Sequence, residues 1–219
     1  MKKNNLFVKK VVEIVSLFVV VLSLIFYGFA FLEPTKTIAA EDTDEITVNQ
    51  TVTAGITISA PEDITLTALS VTQSSAVGST TWTVITNNQA GYTLTIKASA
   101  APALVDSGTA ESFADYTSAG KEAWSVSSAY EFGWSAFGSH VNGHGTDTTG
   151  DCVAAYDVPS AELLWEGFDG VTPIQMASST AETNQAGIGT TICVATEQDT
   201  VFAPSGTYVA TLTATATTQ

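Results

Sequence analysis

The residues best suited to chemistry lie in one stretch, His140-Val-Asn-Gly-His144-Gly-Thr-Asp147-Thr-Thr-Gly-Asp151. Two imidazoles and two carboxylates so close together are ligand types for zinc or, through their oxygens, for calcium. On a helix, His-x3-His would set both rings on one face. Gly143 and Gly145 argue for a loop instead, where spacing fixes no geometry. The abundant oxygens and the acidity of the chain favour calcium over zinc, although the pattern is not that of an EF-hand-type loop. A solvated polar loop is the commoner meaning of such a segment.

A second group is AELLWEGFDG, in which Glu162, Glu166 and Asp169 surround Trp165. Paired carboxylates beside an aromatic serve glycoside hydrolysis when they face each other across a sugar, and local spacing does not show that they do. Trp124, Trp134 and Trp165 would together suit a carbohydrate-binding platform, with core burial as the ordinary alternative for tryptophan. Nucleophilic catalysis finds little support: Gly-x-Ser-x-Gly is absent, and neither histidine has an evident Ser or Cys partner in the sequence. Lys97 falls on the threonine face of its segment, between Ile96 and Ala98, which places it in solvent rather than in an internal Lys–Asn cross-link.

Charge narrows the partners. The 219 residues carry a net charge of −15, with no arginine. The N-terminus has Lys2, Lys3, Lys9 and Lys10, then a nearly unbroken apolar run from Val11 to Leu32, then Ile38-Ala39-Ala40 before Glu41-Asp42. That order of basic, apolar and small residues is expected of a secretory signal peptide spanning residues 1–40. The run also approaches the roughly 20 residues that span a bilayer, so an uncleaved anchor is the alternative. Cleavage after Ala40 would leave two lysines, Lys97 and Lys121, against twenty acidic residues, a net charge of −18 on one domain over residues 41–219. Nucleic-acid binding replaces phosphate counterions with Lys and Arg, so nucleic acid is excluded as a partner. A membrane enters only through the N-terminal segment, if that segment is retained. No sortase-type Leu-Pro-x-Thr-Gly occurs.

Cys152 and Cys193 are the two cysteines. In an exported chain an even pair is read as a disulfide. Their spacing is not CxxC, which argues against a redox motif or a cysteine-based metal site.

The elements that would position these groups are strands. Ile46, Val48, Gln50, Val52, Ala54, Ile56 and Ile58 alternate with Thr, Asn and Gly, a half-buried strand pattern broken near Gly55. Ile64, Leu66 and Ala68 continue it, and Leu69 and Val71 switch phase. Trp82 and Val84, the turn residues Asn87 to Gly91, and then Tyr92, Leu94, Ile96 and Ala98 predict a hairpin. Long loops are expected over 99–160, with short strands near Trp124–Ser127 and Glu131–Phe137. Further strands are expected at Cys152–Tyr156, Leu163–Trp165, Thr190–Thr196 and Thr207–Thr217. No window carries a 3.6-residue apolar stripe after the N-terminal segment. The expectation is an all-β, two-sheet antiparallel β-sandwich, Ig-like or jelly-roll-like.

The strands ITVNQTVTAGITIS, the NNQAGYTLTI turn and the ending PSGTYVATLTATATTQ resemble secreted bacterial β-sandwich surface proteins, the WxL-domain wall proteins most nearly. The resemblance covers roughly residues 44–98 and 200–219. The Trp-x-Leu pairs that name the group are replaced here by Trp82-Thr-Val, Trp124-Ser-Val, Trp134-Ser-Ala and Trp165-Glu-Gly. It implies a cell-surface location and contact with cell-wall glycan. Together these readings point to a non-enzymatic exported protein with a structural or adhesive role, such as a coat, matrix or filament component that contacts like subunits. The alternative is a carbohydrate- or cell-wall-binding module.

Overall fold

The computed structural model of the chain describes residues 3–30, 44–116, 121–144, 150–155 and 157–219. The chain divides into two compact units, Met1–Gln50 and Thr51–Gln219. The first contains the helix α1 (Lys3–Ala30). Within α1, the 21 residues Val8–Gly28 are long and apolar enough to cross a membrane, since about 1.5 Å of rise per residue brings them near the thickness of a bilayer core. The same features are compatible with a signal peptide.

The second unit is built from strands. A five-stranded, curled sheet has the order β1 (Ile56–Ile58), β2 (Ser75–Thr86), β10 (Ile188–Gln198), β6 (Tyr130–Phe137), β5 (Ala114–Asp115). A three-stranded sheet has the order β12 (Leu212–Thr218), β3 (Tyr92–Ala98), β9 (Ile174–Ser179). Two short ladders complete it: β11 (Tyr208–Val209) with β4 (Val105–Asp106), and β7 (Val153–Ala155) with β8 (Val158–Pro159). All pairings are antiparallel except β5 with β6. The body is thus all-β, with several sheets.

Alternation explains the main core. Tyr92, Leu94, Ile96 and Ala98 of β3 are buried together with Trp82 and Val84 of β2, Phe132, Trp134 and Ala136 of β6, and Ile192 and Val194 of β10. Strand period two turns the odd residues of β10 and β6 the other way. There Cys193 and Ala195 meet Val77, Tyr116, Cys152, Leu163 and Trp165 in a second buried cluster. The two central strands β10 and β6 are therefore buried on both faces. That is why TTICVAT and EFGWSA are short on exposed polar positions rather than cleanly alternating.

Several sequence expectations change. Trp82 and Val84 do not pair with the strand that follows them. The turn forms, with Gly91 N donating to Asn88 O at 2.9 Å, but it carries the chain from the five-stranded to the three-stranded sheet. β2 bonds to β1 and β10, and β3 bonds to β12 and β9. Gly91 has φ +85°, and a Cβ there would lie 2.0 Å from Ser179 O, so the crossing needs glycine. Residues 44–55 form no strand, and Ile64 to Val71 contribute only a bridge from Ser70 to Gln73. Ile64 and Leu66 instead lie over Gly78, where they occupy the space a Cβ would take. Trp124–Ser127 and Leu163–Trp165 are not strands; single bridges tie Glu122 to Trp165 and Trp134 to Glu166. The closing segment keeps its predicted phase but splits into β11 and β12 at Ala210-Thr211, changing partner from β4 to β3. Its Tyr208, Leu212, Ala214 and Ala216 are half-buried rather than buried.

Candidate functional site

The polar side chains collect on the loop-covered face of the five-stranded sheet. Two glycines allow loops to lie directly on the strands there. A Cβ at Gly133 would meet Tyr116 Cβ and the Trp124 ring at 2.8 Å, and one at Gly167 would stand 2.0 Å from Tyr116 O. The Tyr116 and Trp124 rings stack at 4.6 Å, and Trp124 meets Trp165 edge-on at 5.2 Å.

The bridge between Cys152 and Cys193, with Cα atoms 5.4 Å apart, fastens the 150–160 region to the middle of β10. The one pairing that two cysteines allow is therefore formed.

His140 and His144 do not converge. His140 Nδ1 lies 3.0 Å from Tyr92 OH, and burial raises the Tyr92 phenol above its usual value. His144 is buried, with its ring 4.5 Å from that of Trp134. Its Nδ1 lies 3.1 Å from Leu164 O. A carbonyl only accepts, so Nδ1 carries the proton there. Nε2 lies 3.2 Å from Glu166 Oε1, and Lys121 Nζ approaches the same oxygen at 3.7 Å. Lys121 also donates to Asn142 O at 2.9 Å. Ser135 Oγ donates to Leu164 O at 2.8 Å, so the hydroxyl that shares this carbonyl is committed to it. His144 Nε2 and Glu166 Oε1 are buried but make no hydrogen bond with each other. It is therefore Leu164 that ties the 142–144 and 164–166 segments together, its N–H donating to His144 O at 2.9 Å and its carbonyl accepting from His144 Nδ1. Asp151 is exposed, and Asp147 lies outside the described residues. Among the described residues, no three His, Cys, Asp or Glu side chains are grouped so as to hold a metal ion.

The acids around Trp165 are likewise dispersed. Glu162 and Asp169 are exposed, whereas Glu166 is turned to His144 and Lys121. The three indoles do not share a surface either. Trp134 and Trp165 are fully buried, with Trp134 Nε1 donating to Gly167 O and Trp165 Nε1 to Ser160 O. Each fills core because its N–H finds a backbone acceptor inside. Only Trp124 keeps an accessible edge. Lys97 is exposed, as its place on the threonine face predicts.

Two carboxylates escaped the sequence reading. Glu131 and Glu197 stand directly opposite each other on β6 and β10, with their side chains on the same face. Each like charge is held by its own donors: Ser127 N and Oγ bond Glu131 at 3.2 and 2.8 Å, and Trp124 Nε1 donates to Glu197 Oε2. Burial, reinforced by the carboxylates of Glu122 and Glu131, raises the Tyr116 phenol above its usual value. Trp124, Glu197 and Asp199 line an open groove of about 440 Å³ with Val126, Val158 and Pro159. No local pattern joins residues 131 and 197; only the β6–β10 register brings them together.

Comparison with protein-family models, with curated proteins and with solved structures finds no match to this chain.

Proposed function

We propose that this is an exported, non-enzymatic protein of the cell surface or extracellular space, with a structural or adhesive role as a coat, matrix or filament component. The observation that carries the reading is the Cys152–Cys193 bridge behind an N-terminal apolar segment, because disulfides persist in oxidising compartments. The strand-rich body supports it, and we read its two principal sheets as the layers of a β-sandwich sharing one core. The groups best suited to chemistry are engaged in holding the fold: His140 on Tyr92, His144 on Leu164, and Glu166 on Lys121. Fractionating the producing cells and determining the mature N-terminus by mass spectrometry tests the reading. An N-terminus at Glu41 outside the cell is expected. Native protein recovered only from the cytosol overturns it.

A second reading follows from one observation, the half-exposed Trp124 beside Glu197 and Asp199 in an open groove. An aromatic edge next to carboxylate acceptors suits a sugar face and its hydroxyls. Titration of cell-wall glycans is then expected to change tryptophan fluorescence in the parent protein but not in Trp124→Phe. A flat response to every glycan removes this reading and leaves the structural one.

A further inference from the structure

Residues 46–61 contain no charged side chain, and neither do residues 200–219, in a chain with 22 acidic residues. Within the first stretch, Ile46, Val48 and Val52 keep the alternation of a half-buried strand, yet they are 86%, 83% and 76% exposed. The downstream end of this segment is fastened. Asn87 Oδ1 accepts from Gly55 N at 2.7 Å, and its Nδ2 donates to Thr53 O at 2.9 Å. Ile56 opposes Thr86, the last residue of β2, so the register carries Thr53 beyond the end of that strand.

The second stretch contains β12. It bonds to β3 along one edge and forms no other ladder among the described residues. β1 passes near it without bonding, but with three residues against seven it shields only part of the open edge. The inward Leu212, Ala214 and Ala216 are only half-buried, which leaves apolar surface for a further strand to cover. Natural edge strands are commonly guarded by lysine, proline or a bulge. The sequence LTATATT and its unbroken register on β3 include none of these.

We propose that the Ile46–Ala54 segment of one copy adds as a strand to the β12 edge of a second copy. Ladder hydrogen bonds supply the affinity, and the period-two pattern sets Ile46, Val48 and Val52 toward the same core as Leu212, Ala214 and Ala216. The absence of charge on both strands lets two strongly acidic copies meet there with little repulsion. Donor and acceptor are different surfaces, so the contact is heterologous and propagates into rings or filaments. This deepens the structural role proposed above and rests on that reading for freeing the segment at its N-terminal side.

The test is size-exclusion chromatography with light scattering on protein recovered from the producing cells. Concentration-dependent oligomers are expected. The odd positions of β12 exchange their backbone bonds with β3, so the N–H of Ala214 faces the open edge. The donor variant Val48→Asp/Val52→Asp and the acceptor variant Ala214→Pro should each be monomeric. Mixed one to one they should form a heterodimer, because each retains the half the other lacks. Should Ala214→Pro not fold, copies carrying Asn49→Cys and copies carrying Thr215→Cys are to be mixed under oxidising conditions. They should cross-link, and Val48→Asp/Val52→Asp in the Asn49→Cys copy should abolish the cross-link. A parent protein that stays monomeric at every concentration overturns the proposal, as do oligomers that survive the donor variant. Neither result bears on export, which the fractionation reads separately.

Discussion

Opening the Cys152–Cys193 bridge is expected to lower stability by about 4 kcal/mol, mostly through the unfolded chain. The two cysteines are separated by 41 positions. In the chain-entropy model, a closed loop of about 42 residues removes roughly 13 cal/mol/K from the denatured ensemble, or about 4 kcal/mol at 25 °C. Against a typical net stability of about 5–15 kcal/mol, that is a large share. The closed loop includes β9, which is independently bonded to β3, and β7, which is bonded to β8. Native contacts can thus survive reduction while the unfolded state expands. Urea unfolding of the oxidised and the reduced protein, followed by circular dichroism, measures the difference. The reduced form should show a lower midpoint and a steeper dependence on urea, since more surface is exposed on unfolding. Cys152→Ala/Cys193→Ala should lose on the order of 1 kcal/mol more, because Cys193 is fully buried and its sulfur packs in the second cluster. Oxidised and reduced forms within about 1 kcal/mol of each other, with equal urea dependence, would refute the reasoning.

Other substitutions probe the loop-covered face and the titrating groups. Gly167→Ala places a methyl carbon 2.0 Å from the backbone oxygen of Tyr116; a loss of about 1–3 kcal/mol or more is expected in thermal or urea unfolding, because backbone must move. Trp165→Ala should cost about 3–5 kcal/mol, as it empties a fully buried site, while Trp124→Ala, at a half-exposed position, should cost clearly less in the same assay. Asp106 is held below the usual carboxylate range, first by the Gly108 N–H and also by that of Thr109. Its contribution is therefore present at neutral pH and lost as pH falls through the depressed folded value, so Asp106→Asn should flatten the acid side of the stability profile. Asp115 behaves oppositely, since burial raises it despite the Ala103 N–H. Its folded form holds the proton longer, so stability falls as pH rises through the raised value. Asp115→Asn should remove that decline and gain relative to the parent at neutral pH, as read by urea midpoints across the pH range.

Local chemistry determined much that is seen. The order of basic, apolar and small residues marks the N-terminal segment, and α1 bears the apolar part of it out as a helix. Two cysteines permit one bridge. Period two assigns a face to each residue without knowledge of the partner strand, and for that reason Tyr92, Leu94, Ile96 and Ala98 were legible as core and Lys97 as exposed. The same rule failed where it was silent about partners. Ile46, Val48 and Val52 alternate as well as β3 does, but they remain exposed and outside any strand. Alternation states what a segment can cover, and whether a sheet is there to receive it depends on the rest of the chain.

The tertiary structure alone decided who meets whom. β2 and β3 are neighbours in sequence but part company at Gly91, and each takes a hydrogen-bonding partner more than eighty residues away, β10 for β2 and β12 for β3. The His140–Asp151 segment looked like one ligand set, yet its two rings went to different anchors. His144 was taken inside, with its Nδ1 on Leu164 O, and His140 was left at Tyr92. Glu131 and Glu197 carried no sequence signal and became direct neighbours through a single register. Side-chain facing is a property of consecutive residues and can be read along the chain. Pairing and register are set by contacts distant in sequence, and those exist only once the sheets have formed.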